Sequence, residues 1–113
     1  MKIITLIILS PGLATCQIFS PQWQKCFGGS SDDLPYDMLI HNNNYLIVGG
    51  TESDDGDITI HYGGEDGWAI MTDSVGNIIW ERSYGGTLGD GFTGVHEAED
   101  GNFWIGTRQS GII

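Results

Sequence analysis

Apolar residues along this chain come in short runs broken by Gly, Asn and Asp. Tyr45-Leu46-Ile47-Val48-Gly49, Trp68-Ala69-Ile70-Met71-Thr72 and Ile78-Ile79-Trp80-Glu81-Arg82-Ser83-Tyr84 are rich in aromatic and β-branched residues, and turn-forming clusters bound them. That composition and length predict strands. Asp37-Met38-Leu39-Ile40-His41 reads as a weaker strand that turns through Asn42-Asn43-Asn44 into the next. Asp73-Ser74-Val75-Gly76-Asn77 predicts a tight hairpin, with Gly76-Asn77 free to take positive φ, and Asp100-Gly101 marks an equivalent turn further on. No window of helical length carries an apolar stripe at the roughly 3.6-residue spacing of a helix.

The first apolar run is of another kind. Met1 and Lys2 precede Ile3, Ile4, Leu6, Ile7, Ile8 and Leu9; Ser10-Pro11-Gly12 breaks the run, and Leu13-Ala14-Thr15-Cys16 follows. A positive start, an apolar core and a small-residue boundary in that order make a secretory signal peptide, and the run is too short to span a bilayer as a helix. A buried N-terminal strand is the alternative for the same residues. Cleavage after Cys16 leaves Gln17 first. Alternatively, Leu13-Ala14-Thr15-Cys16 resembles a bacterial lipobox with Thr15 in the place of the usual Gly, Ala or Ser, which would make Cys16 a lipid-bearing terminus. Simple secretion is favoured. Either route leaves Cys26 without an intramolecular partner, and a lone strand cysteine is usually a small buried apolar residue.

The remainder repeats itself. Trp23-Gln24-Lys25-Cys26-Phe27-Gly28-Gly29-Ser30-Ser31-Asp32-Asp33 recurs as Trp80-Glu81-Arg82-Ser83-Tyr84-Gly85-Gly86-Thr87-Leu88-Gly89-Asp90, an offset of 57 positions. One residue of slippage later, Asn44-Tyr45-Leu46-Ile47 aligns with Asn102-Phe103-Trp104-Ile105. The predicted strands 37–41, 45–49, 68–72 and 78–84 then fall four to a period. The expected fold is all-β, built from four-stranded antiparallel units of β-propeller type, with fewer than two blades present. A solenoid or an unrelated β-sandwich is the second architecture. The organisation reads as a signal peptide over 1–16, a lead-in strand and Gly-Gly turn over 17–36, a first complete unit over 37–84, and a partial second unit over 85–113. The repeated positions Trp23, Gly28, Gly29 and Asp33, with Trp80, Gly85, Gly86 and Asp90, read as structural. The glycines allow a sharp turn between units, the aspartates cap it, and the aromatic residues pack between sheets.

These motifs resemble the propeller-like repeats of large secreted proteins in bacteria of the Bacteroidetes type. Trp23 through Asp33, Asn43 through Gly50, Ser53 through Asp57, Asp66 through Trp68 and Asp73 through Trp80 match the repeat in order. Asn43-Asn44 stands where the family has Asp-Gly, and Asp100-Gly101 restores it in the second copy. The resemblance covers everything after the signal. It implies an exported or cell-surface protein, often with a C-terminal domain for type IX secretion, and some members are labelled lipoprotein or endoglucanase-like.

Charge narrows the partners. Among 113 residues, 15 Asp and Glu stand against 4 Lys and Arg, a formal net charge of −11, which excludes a nucleic-acid surface. Eighteen glycines without a three-residue period exclude collagen, and 40% hydrophobic content excludes a typical disordered chain. Polysaccharide or a cell-surface protein remain as partners.

The densest acidic stretch, Thr51 to Asp57, suggests a calcium loop of Asp54, Asp55 and Asp57 around Gly56, with Asp66 returning to it. The EF-hand pattern is incomplete, since Tyr62 stands where its last Glu belongs, and a solvated acidic loop is the plainer reading. Paired carboxylates for glycoside hydrolysis are the other chemistry to weigh. Asp33 and Asp90 are copied with the repeat, so a turn-capping role fits them better. His41, His61 and His96 lack zinc spacing, and the Gly-Gly pairs lack the Lys-Ser/Thr of a phosphate loop. The expected role is a non-catalytic scaffold or binding module; a piece of an extracellular carbohydrate-active enzyme, or a lipoprotein, is the alternative.

Overall fold

The computed structural model describes residues 4–9, 21–86 and 89–109. Cys16 and both its processing readings lie outside them. Eight strands follow one another, β1 (Ile4–Leu9), β2 (Pro21–Phe27), β3 (Asp33–His41), β4 (Asn44–Thr51), β5 (Asp66–Thr72), β6 (Ile78–Tyr84), β7 (Asp90–Glu97) and β8 (Phe103–Gln109). All pairings are antiparallel, and the described residues contain no helix. The fold is all-β. The segment with the export layout thus contains a strand, β1, seated beside β2.

A four-stranded sheet in the order β3-β4-β5-β6 lies between two two-stranded sheets, β1-β2 and β7-β8. Its strand β5 is buried along its whole length. The continuous run Gly67-Trp68-Ala69-Ile70-Met71 follows from this, because both of its faces are covered. Trp68 and Ile70 face one side with Ile47, Ile58 and Phe27 of β2. Ala69 and Met71 face the other with Leu46, Val48 and Phe92 of β7, and Val95, Phe103 and Ile105 pack around them. Gly67 makes room for this second layer: a Cβ there would stand 2.7 Å from the Phe92 ring.

The first strand of the central sheet begins at Asp33, earlier than residue 37. Pro35 falls within this strand. On an edge strand its missing N–H breaks no ladder bond, and the register shifts between Pro35 and Asp37. Asn42 and Asn43, at φ 49° and 64°, close the β3-β4 hairpin in the left-handed region that Asn tolerates.

The repeat holds in the pairing. β7-β8 copies β3-β4 residue for residue, from Asp33↔Thr51 and Asp90↔Gln109 to Ile40↔Tyr45 and Glu97↔Phe103. The shift between Pro35 and Asp37 recurs between Phe92 and Gly94. β2 stands 57 positions before β6, and β1-β2 copies β5-β6 from Gly67↔Tyr84 and Ile4↔Phe27 to Thr72↔Ile78 and Leu9↔Pro21. Its shift between Ile8 and Leu9 matches the one between Met71 and Thr72. The chain therefore runs as a half-unit, a whole unit and a half-unit.

Candidate functional site

The acidic loop between β4 and β5 folds back onto the first Gly-Gly turn. Four consecutive backbone N–H groups of that turn donate to side-chain oxygens: Gly28 to Asp57 Oδ2 at 2.9 Å, Gly29 to Asp33 Oδ2 at 2.8 Å, Ser30 to Asp55 Oδ1 at 2.7 Å and Ser31 to Ser53 Oγ at 3.0 Å. Backbone bonds from Asp57 to Gly28 and from Glu52 to Asp32 zip the two segments together. A run of N–H donors is an anion-accepting concavity, and here the chain's own carboxylates occupy it.

Asp33 lies at the centre and is 3% exposed. Besides Gly29 it accepts the Thr51 hydroxyl at 2.5 Å on Oδ1 and the Ser53 hydroxyl at 3.1 Å on Oδ2. Thr51 Oγ1 in turn accepts from the Ser53 backbone at 3.0 Å. Burying a carboxylate is costly unless donors surround it, and three do. Thr51 and Ser53 were not singled out from sequence; small hydroxyl residues flanking an acidic loop are the only signal they leave.

The glycines serve this contact in two ways. Gly28 sits at φ 138° and Gly56 at φ 68°, backbone that other residues adopt only under strain. Gly29 is needed for room, since a Cβ there would lie 2.5 Å from Asp55 Oδ1 and 2.6 Å from Ser53 Cβ. At the second turn Gly86 N donates to Asp90 Oδ2 at 3.0 Å, the counterpart of Gly29 and Asp33. A Cβ on Gly85 would stand 2.2 Å from Asp66 Oδ1, so Gly85 too answers to close approach. Beside this turn a cleft of about 370 Å³ opens between Tyr84, Gly85, Gly86, Asp90 and Phe92.

The four residues considered for calcium have separate employments. Asp55 and Asp57 hold the Gly28–Ser30 backbone, and Asp54 is exposed. The Ser30 N–H and then its hydroxyl hold the Asp55 carboxyl below its usual value. Asp66 is fully buried and accepts from Tyr62 N at 2.7 Å on Oδ2, while its Oδ1 has no hydrogen-bond partner among the described residues. His61 Nδ1 lies 3.1 Å from Asp66 Oδ2, within ion-pair reach but not aligned for a hydrogen bond. Among the described residues, no three His, Cys, Asp or Glu side chains are grouped to hold a metal ion.

Other candidates fall as follows. His41 Nδ1 meets Glu97 Oε1 at 2.7 Å and its ring packs edge-on against Phe103, tying β3 to the β7-β8 sheet. His96 is exposed on β7. Cys26 is exposed, contrary to the buried position expected of a lone strand cysteine, because the covered face of β2 is the one that carries Phe27. Of the four tryptophans, Trp68 is buried and its Nε1 donates to Glu81 Oε2 at 2.8 Å. Trp23 stacks edge-on with Tyr45 and donates to Ser74 O at 2.8 Å, and Trp80 packs against the second cluster. Trp104 is 70% exposed, so packing between sheets does not extend to it.

No helix among the described residues is long and apolar enough to cross a membrane. No family model matches the chain, and no curated protein matches it.

Proposed function

We propose that this chain is a secreted or cell-surface repeat protein of β-propeller type, acting as a non-catalytic scaffold or binding module. The observation that carries the reading is the pairing repeat. Equivalent strand pairs of successive units, β1-β2 with β5-β6 and β3-β4 with β7-β8, adopt the same register with the same shift, as the blades of a propeller do. Adjacent sheets stack face to face through Trp68, Ile70, Leu46 and Phe92, which is how successive blades bury their cores. The acids that make the chain so anionic include Asp33, Asp55 and Asp57, whose oxygens hold backbone N–H groups, as a scaffold requires and a hydrolytic pair does not. The order of charge, apolar core and small residues over 1–16 supports export, by the type IX route that the resemblance implies.

The test has two arms. Fractionation of cells expressing the tagged chain should place it outside the cytoplasm; retention inside would overturn the export reading. Purified protein should be retained on immobilised polysaccharide or on whole cell surfaces without releasing reducing sugar. Sugar release would establish the carbohydrate-active alternative instead.

A further inference from the structure

The loop before β5 meets the last strand of the central sheet along a groove of about 390 Å³. Thr59, Ile60 and Tyr62 form one wall, and Glu81 and Ser83 of β6 form the other, with Arg82 and Tyr84 bordering it along the strand. Every wall belongs to residues 59–84, inside the one complete unit. Both ends of the loop wall are pinned. Thr59 donates to Glu81 Oε1 through its N–H at 3.2 Å and through its hydroxyl, and Tyr62 N donates to the buried Asp66 at 2.7 Å. Between these anchors Ile60 and Tyr62 stand 55% and 47% exposed.

The opposite wall is polar and equally fixed. Glu81 and Ser83 share the face of β6 that looks towards the loop, because alternate strand residues point the same way. Glu81 also accepts Trp68 Nε1 at 2.8 Å, so three donors hold a carboxylate that has about four acceptor positions. One stays open. Ser83 Oγ, just under the groove wall, is shielded from water and has no hydrogen-bond partner among the described residues. Buried hydroxyls are rarely left so. The short side chain of serine changes rotamer at little cost, and a ligand hydroxyl offers it the bond that folding left unmade.

We propose that this groove binds a neutral saccharide. The exposed ring of Tyr62 stacks on the C–H face of a sugar, and the hydroxyls around the sugar's rim meet the open position of Glu81 and the Ser83 hydroxyl. Neutrality follows from charge, since a chain at −11 repels polyanionic sugars. Pinning at Thr59 and Tyr62 holds the wall in its binding shape, so little order has to be gained on binding. The inference rests on the binding-module part of the proposed function and gives that module a site and a ligand class.

Calorimetric titration of the whole chain with cellohexaose, mannohexaose and xylohexaose tests this, with oligogalacturonate as the anionic comparison. At least one neutral sugar should bind, and oligogalacturonate should not. Tyr62→Ala should weaken binding about tenfold and Ser83→Ala about fivefold, the loss of one hydrogen bond. Tyr62→Phe keeps the ring and should bind as the parent does. Ser83→Ala removes a hydroxyl that bonds to nothing in the described fold, so its melting temperature should not fall. Tyr62→Ala keeps the N–H that Asp66 accepts; if it nevertheless unfolds, Tyr62→Leu carries the same test. Trp104→Ala should leave binding intact, although that ring is 70% exposed. Binding that survives both Tyr62→Ala and Ser83→Ala, that falls with Trp104→Ala instead, or that oligogalacturonate matches would overturn the proposal. So would binding of none of the neutral sugars. Retention on whole cell surfaces would in that event still uphold the binding-module reading, so the two failures are distinguishable.

Discussion

Replacing Asp33 with Ala should cost this protein more than any other single change to its acids. The side chain is 3% exposed and accepts from Gly29 N, Thr51 Oγ1 and Ser53 Oγ. Removing it strands three donors in a buried site. Each unsatisfied buried donor costs about 1–3 kcal/mol, but the two hydroxyls can rotate towards each other or towards water. The Gly29 N–H cannot, so the net loss should be about 2–3 kcal/mol, the upper part of that range. Asp33→Asn keeps an acceptor for Gly29 and Ser53 and turns its amide towards Thr51, whose hydroxyl can reverse its role; about 1–2 kcal/mol is expected. Asp90 makes the corresponding bond to Gly86 at a more exposed site, and Asp90→Ala should cost about 0.5–1 kcal/mol. Urea unfolding followed by tryptophan fluorescence reads all three, provided the slope with denaturant is unchanged. If Asp33→Ala costs less than about 1 kcal/mol, or no more than Asp90→Ala, the buried carboxylate is not what holds the loop to the turn.

Three further changes probe other parts of the fold. Gly67→Ala would set a Cβ 2.7 Å from the Phe92 ring and should cost about 1–3 kcal/mol by overpacking. Combined with Phe92→Ala, its penalty should largely vanish, and full additivity in unfolding experiments would show that the contact is absent. Acid should weaken the turns: backbone and side-chain bonds from Asn77 hold Asp73, and those from Asn102 hold Asp100, below the usual carboxylate value. Carboxyls lowered in the folded state stabilise it above their ordinary value near pH 4, and that contribution is lost as pH falls through the lowered one. Urea midpoints should therefore drop below about pH 4, less steeply in Asp73→Asn; an identical slope would disprove the Asp73 part. Because Asp55 and Asp57 already serve Ser30 and Gly28, thermal melts with excess Ca²⁺ and with chelator should share one midpoint. A rise with Ca²⁺ would mark the loop as an ion site.

Much of this architecture is written locally, and local signals are legible. The strand runs Tyr45–Gly49, Trp68–Thr72 and Ile78–Tyr84, the Asn42-Asn43 and Asp73–Asn77 turns, and the 57-position recurrence of Trp, Gly-Gly and Asp all lie within a few residues of the physics that produces them. The tertiary structure decided what depends on distant partners. Asp33 draws Thr51 and Ser53 from across the β3-β4 pair, and the Gly28–Ser31 donors take Asp55 and Asp57 from beyond it. No spacing rule announces those bonds, because loop closure and burial select them. Exposure is the plainest case. Leu46 and Trp104 occupy equivalent strand positions, yet one is wholly buried and the other is 70% exposed. Composition alone would have buried the tryptophan. Whether a sheet face is covered depends on what stacks against it, and a single strand carries no record of that.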